Sequence, residues 1–169
     1  DKPWDPPSDG SFYMTDAFTD YAVRMLDEYG RREKPFFLYL AYTAPHWPMH
    51  AWPQDIEKYR GKYLAGWQKL REERHARMIK FGIVKKEWPL SPNDAPDWGS
   101  LDEKTRKEFD LKMAVYAAMV DRVDQGIGKV LRKLAEVKAD KNTLIMFLAD
   151  NGGCHEGSPK KTFEGKVPG

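Results

Sequence analysis

Two adjacent side chains with oxygen donors, Asp150 and Asn151, stand between an apolar run at residues 144–149 and two glycines. Because this run shows no polar alternation, it predicts a parallel strand that is covered on both faces. Ligands of parallel sheets bind beyond the carboxyl ends of the strands, and carboxylate and amide oxygens suit a hard cation such as Ca²⁺ or Mg²⁺. Asp150 and Asn151 are therefore candidate metal ligands; the alternative is an Asx turn that binds nothing.

A second candidate group, His46, follows a second apolar run at residues 36–42. Two prolines and a tryptophan around it predict a stiff, extended loop, from which the imidazole can donate to an anionic oxygen or transfer a proton. A purely structural histidine is the alternative. His50 lies four residues further on, but a zinc site shared by the two rings is disfavoured because Pro48 interrupts the helical turn that would bring them together.

The two apolar runs must position these groups. Each run is flanked by predicted helices and each ends in a polar loop, so we predict that residues 36–42 and 144–149 are parallel strands of one sheet. The corresponding fold class is α/β, with a largely parallel sheet flanked by helices.

Helical periodicity predicts an amphipathic helix over residues 15–29, with Thr15 as N-cap and Gly30 at its end. Ser100 and Glu103 have the capping-box spacing that begins a long helix. The predicted buried stripe of that helix consists of Phe109, Met113, Tyr116, Val120, Val123, Ile127, Leu131 and Leu134.

Four small or charged residues interrupt the long helix. Gly126 and Gly128 each cost about 1 kcal/mol of helix propensity relative to alanine, which predicts close packing at both positions. Asp121 and Asp124 are predicted to be exposed side chains without a catalytic role.

The charge pattern does not single out a nucleic-acid partner. Residues 55–87 are rich in lysine and arginine and would suit a polyanion, but their apolar residues fall near one helical face, which favours a solvated amphipathic helix. The net charge of +2 carries no nucleic-acid signature. No apolar run reaches the roughly 18 residues of a membrane span, and the single cysteine, Cys154, excludes an internal disulfide.

Several blocks of the sequence resemble type I sulfatases of the bacterial arylsulfatase kind, in the order in which that family carries them. The blocks are residues 34–51, 55–63, 66–74, 116–131 and 147–153. The resemblance implies an alkaline-phosphatase-like fold and the hydrolysis of sulfate esters. It also implies that residues 1–169 are an internal fragment of a single catalytic domain.

The resemblance assigns roles to individual residues. Asp150 and Asn151 match the family's late pair of calcium ligands, and His46 matches the histidine that binds the substrate sulfate. A sulfate-binding lysine of the family corresponds to Lys161 or to Lys160, the alternative being a basic solvated tail. A cation and a hydrogen-bonding histidine would both stabilise negative charge on the sulfuryl oxygens.

The family's nucleophile is a formylglycine made from Cys or Ser in a C/S-x-P-x-R motif, and this sequence has no such motif. We therefore expect no catalytic residue in these 169 residues and no turnover by the isolated chain. The implied partner of the parent enzyme is a sulfated small molecule or glycan, and the implied location is periplasmic or secreted. The alternatives are a pseudoenzyme module that binds cations and anions without turnover, and a phosphoesterase or phosphonate hydrolase of the same fold.

Overall fold

The structure, a computed structural model, describes residues 5–152. Four α-helices make up its regular structure: α1 (Met14–Tyr29), α2 (Pro53–Glu57), α3 (Trp67–Lys80) and α4 (Glu103–Glu136). Short 3-10 helices span Trp98–Ser100 and Asp140–Asn142. None of the helices described is both long and apolar enough to cross a membrane.

Helix α1 confirms the amphipathic helix predicted over residues 15–29, but its capping differs. Its N-cap is Tyr13, which makes no side-chain capping bond, and Thr15 is buried inside the first turn. Gly30 does close the helix, and its amide donates to the carbonyl of Leu26. The predicted helix is correct, and the predicted N-cap is wrong because Thr15 faces the core instead of the helix end.

Helix α4 also forms as predicted but begins differently. Its N-cap is Asp102, whose carboxylate accepts from the amide of Thr105 at 2.8 Å. Ser100 belongs to the preceding 3-10 turn, where its hydroxyl donates to the carbonyl of Asp97. The predicted capping box is therefore wrong, since an Asp two residues later provides the cap.

The predicted buried stripe of α4 is only partly correct: Leu134 is buried, and Phe109, Tyr116, Val123 and Ile127 are half-buried. Met113, Val120 and Leu131 are more than 40% exposed, whereas small residues on a neighbouring face are buried. The buried residues of α4 are Asp110, Ala114, Val115, Ala118, Met119, Gly126 and Leu134. The partners α1 and α2 approach α4 closely, and small side chains are what such an approach requires. The periodicity was correct, but the side of the helix that meets its partners was only partly so.

The core lies between α4 and the two helices α1 and α2, which both pack on it. Ala22 and Leu26 of α1 are buried there. A second part of the core joins Val115, Ala118 and Met119 of α4 to Ala51, in the chain just before α2. Helix α4 is therefore the element on which α1 and α2 are assembled.

Residues 55–87 do not form one amphipathic helix. They contain the end of α2, a turn and α3, and no residue of α3 is buried. Aromatic contacts attach the start of α3, where Trp67 packs edge-on against Trp98 and Phe109. The charged surface of α3 is solvated, as the sequence predicts.

No strand is assigned in the part of the chain that the structure describes. Residues 36–42 and 144–149 lack regular secondary structure, and no ladder of backbone hydrogen bonds joins them. Several of their apolar side chains are exposed to solvent, including Phe37 at 92% and Leu144 at 86%. A strand exists only through bonds to a neighbour, so an apolar run alone does not produce one. The described structure is helical, and it does not show the predicted sheet.

Candidate functional site

The predicted metal ligands Asp150 and Asn151 lie at an exposed bend directly after residues 144–149. Within residues 5–152, no three His, Cys, Asp or Glu side chains are close enough together to hold a metal ion. Calcium takes about six to eight oxygen ligands. Two adjacent side chains offer suitable donors but only a minority of such a shell.

His46 lies in the turn at residues 44–48 and is exposed. Its amide donates to the carbonyl of Thr43 at 2.9 Å, and its ring Nδ1 lies 2.6 Å from the carbonyl oxygen of Trp47. Because a carbonyl oxygen can only accept, Nδ1 carries the proton of that bond. The other nitrogen, Nε2, has no hydrogen-bond partner within residues 5–152, and it can donate to an anion when the ring is protonated.

The predicted sulfate-binding lysine, Lys161 or its alternative Lys160, lies outside the described residues. Cys154 also lies outside them. His46 and Asp150 share no hydrogen bond or ion pair among the contacts of residues 5–152. The structure therefore describes His46 and Asp150 separately, and their proximity in one site stays a prediction.

A network of charged side chains joins α1, α2 and α4. The guanidinium of Arg122 donates two hydrogen bonds, of 2.6 and 2.7 Å, to the Asp16 carboxylate. Asp55, which is only 2% exposed, accepts from Lys58 at 2.7 Å and from Gln125 at 3.2 Å. Its second oxygen, Oδ2, has no hydrogen bond and lies 3.6 Å from Arg122, so that contact is purely electrostatic.

Asp121 extends this network to the surface. Its carboxylate accepts from Lys58 at 2.9 Å and from Gln125 at 3.1 Å. Burial raises the pKa of Asp121, but the bonds from Lys58 and Gln125 outweigh burial and lower the pKa below its ordinary value. The prediction that Asp121 is simply exposed is wrong, because its side chain is only 17% exposed; Asp124 is exposed as predicted.

Asp16 makes the network sensitive to acid. Burial raises its pKa, but hydrogen bonds from Arg122 and Trp52 outweigh burial and hold the pKa of Asp16 below its ordinary value of 3.8. A carboxyl whose pKa is lowered by folding stabilises the fold above its unfolded pKa, and this stabilisation disappears as the pH falls through the folded pKa.

We expect Asp16→Asn to lower the melting temperature of the full-length protein near neutral pH. The difference from the unmodified protein should shrink as the pH falls below 3.8, because Asp16 is protonated first in the unfolded chain and, at its lower pKa, in the folded protein. Melting curves between pH 3 and 7 measure it, with the 69%-exposed Asp20 as the matched control in Asp20→Asn. A difference that stays constant across this range would contradict the assignment.

An open groove of about 470 Å³ runs along the exposed face of α4. Apolar and aromatic side chains line most of it, with two carboxylates at one end. The lining residues are Tyr59, Tyr63, Met113, Tyr116, Ala117, Val120, Asp121 and Asp124. Met113 and Val120, which the sequence placed in the core, line this groove and face outward.

Sequence reasoning missed the charged network entirely. Asp16 and Arg122 are 106 positions apart, so nothing local relates them. The one available signal was the spacing of Asp121 and Gln125, which stand one helical turn apart on α4 and share a face. That spacing indicates a polar side to the helix but not its partners.

Comparison with known proteins gives a consistent result. The family model described as Sulfatase matches residues 1–167. The chain is 38% identical over 161 residues to an uncharacterized sulfatase of Schizosaccharomyces pombe, a match that covers 92% of this chain and 28% of that protein. It is 34% identical over 145 residues to an arylsulfatase of Klebsiella aerogenes, covering 83% and 30% respectively.

A more distant match is the N-acetylglucosamine-6-sulfatase of Homo sapiens, 27% identical over 144 residues, which covers 83% of this chain and 23% of that enzyme. The chain thus spans less than a third of the length of each of these relatives.

Proposed function

This chain belongs to the sulfatase family, and from that membership we propose that the whole protein hydrolyses sulfate esters. The observation that carries the proposal is the family match over nearly the full sequence. The names of two relatives, an arylsulfatase and an N-acetylglucosamine-6-sulfatase, support a sulfated small molecule or glycan as the substrate class.

We assign sulfate binding to His46 and Lys161 and calcium binding to Asp150 and Asn151. The Nε2 atom of His46, which has no hydrogen-bond partner in the described part of the chain, supports this role, because the protonated ring can donate from that atom to a sulfuryl oxygen. The exposed oxygens of Asp150 and Asn151 suit a hard cation but require further ligands. Bound calcium would supply positive charge next to the developing negative charge of the transition state.

We also propose that residues 36–42 and 144–149 become parallel strands in the whole protein. The exposure of the first segment alternates: Phe36, Leu40 and Tyr42 are half-buried, whereas Phe37 and Tyr39 are 92% and 81% exposed. One face is thus half-buried, and Tyr42 on that face is hydrogen-bonded to α1. The other face is apolar and exposed, which supports a strand whose second face is covered in the whole protein. An experimental structure of the whole protein with these segments antiparallel or in separate sheets would refute this.

The test of function is turnover by the full-length protein. We expect hydrolysis of 4-nitrophenyl sulfate that depends on calcium, together with a formylglycine detected by mass spectrometry in a C/S-x-P-x-R motif outside residues 1–169. Hydrolysis of 4-nitrophenyl phosphate in preference to the sulfate would favour a phosphoesterase. Absence of both formylglycine and turnover would favour a binding module.

The isolated 169-residue chain should show no aryl-sulfate turnover even with added calcium. The reason is that electrostatic stabilisation assists only when a nucleophile is present, and the motif for the nucleophile is missing from the sequence. Turnover that survives Cys154→Ala and repurification would overturn this expectation, and turnover lost in that variant would identify Cys154 as the nucleophile.

A further inference from the structure

The loop at residues 43–51 carries His46 and is called the His46 loop below. It is attached to the helices through Tyr42, the residue just before it. The Tyr42 hydroxyl is hydrogen-bonded to the Thr19 hydroxyl of α1 at 2.8 Å. Gly126 of α4 lies against both hydroxyls, and a Cβ atom there would collide with them. The close packing predicted for Gly126 is thus confirmed, and its reason is this junction; Gly128, by contrast, meets only the side chain of Arg132.

The same loop is fastened again at its far end. The Tyr13 hydroxyl donates to the backbone carbonyl of His50 at 2.7 Å. The indole N–H of Trp52 donates to Asp16 at 2.9 Å, and the Tyr13 and Trp52 rings meet edge to face at 5.8 Å. Asp16 is itself held by the guanidinium of Arg122 on α4.

Between these two fastenings the loop turns its small and apolar side chains inward. Ala44, Met49 and Ala51 pack against the part of the core formed by α4. His46 points outward, and its ring is oriented by the Trp47 carbonyl. Both ends and the underside of the loop are therefore set by α1 and α4, and the exposed imidazole is the group that this arrangement presents.

We propose that Tyr13, Trp52 and Tyr42 are positioning residues that hold the His46 imidazole in place for the sulfate group. This inference rests on the sulfate-binding role proposed above for His46. The three residues act through the loop and not on the substrate. Tyr13 is 7% exposed and beneath the loop, and the polar atoms of Trp52 and Tyr42 are engaged with α1.

The experiment uses the full-length protein. Tyr13→Phe and Tyr42→Phe each remove one hydroxyl, whereas Trp52→Phe removes the indole N–H together with the five-membered ring. We expect each to lower kcat/KM for 4-nitrophenyl sulfate by about threefold to tenfold, the effect of one hydrogen bond. Matched controls are Tyr21→Phe and Trp88→Phe, which change exposed side chains away from the loop and should leave kcat/KM unchanged.

A purely structural effect is separated by repeating each substitution in a His46→Ala background. If the three residues act through His46, their effects should disappear there, and calcium affinity should remain unchanged throughout. Binding of inorganic sulfate, measured by calorimetry, should weaken by the same factors. Sulfate binding also tests the position of the His46 imidazole if turnover is too slow to follow.

Equal losses in both backgrounds would overturn the positioning role while leaving the proposed function intact. A His46→Ala protein with unchanged turnover and unchanged sulfate binding would instead overturn the role of His46, and the positioning role with it. Should one variant fail to fold, the substitution at the opposite end of the loop carries the test, since Tyr42 and Tyr13 are attached independently.

Discussion

Asp150→Ala in the full-length protein should remove tight calcium binding and lower sulfate-ester turnover by about 100-fold or more. Asp150 provides the charged oxygen of the candidate metal pair, and losing a metal ligand also loses the positive charge that stabilises the transition state. Calorimetry with calcium and steady-state kinetics on the purified variant measure the two effects.

Two further variants are compared with Asp150→Ala in the same measurements. His46→Ala should reduce turnover while leaving calcium binding largely intact, because its expected role is on the substrate oxygens. Asp140→Ala removes an exposed carboxylate ten positions earlier and should change neither property. If His46→Ala abolished calcium binding, or Asp150→Ala left it untouched, the roles assigned to these residues would be wrong.

The largest effect on stability is expected for Arg122→Met. This substitution keeps much of the apolar stem but leaves Asp16 and the nearly buried Asp55 without their shared cation. Breaking a buried ion pair costs several kcal/mol; here the arginine side chain is 21% exposed, so we expect a loss of about 3 kcal/mol in the free energy of unfolding. Urea unfolding of the full-length protein, followed by tryptophan fluorescence, measures it.

Arg132→Met is the matched control for Arg122→Met. Arg132 lies on the same helix and is exposed, so its replacement should change the free energy of unfolding by no more than about 0.5 kcal/mol. Similar losses in the two variants would mean that the charged network contributes nothing specific, and that helix α4 is sensitive to any loss of positive charge.

The same network links stability to the proposed site. Asp16 accepts from both Arg122 and Trp52, so one carboxylate joins α4 to the segment that follows the His46 loop. Loss of Arg122 should therefore loosen Trp52 as well as the helix packing. The acid sensitivity expected for Asp16 would reach the His46 loop through the same bond.

The sequence by itself determined the features that depend on local order. The helical period at residues 15–29 and beyond residue 102 predicted α1 and α4, because a segment that buries one face must repeat its apolar residues with the helical period. The order of several sequence blocks also indicated the family, which the comparisons confirm. Asp150, Asn151 and His46 were identified as candidates from the same blocks, and their roles stay predictions.

Only the tertiary structure decided which groups meet. Asp16 and Arg122, like Tyr13 and His50, are far apart in the sequence. The first contact depends on how closely α1 approaches α4, and the second on how the loop before α2 packs beside the start of α1. The buried face of α4 was decided in the same way, because small side chains such as Ala114 and Ala118 permit an approach that the larger Met113 and Val120 would block. Periodicity reports that a segment buries a face, but a partner is chosen by shape and charge in three dimensions.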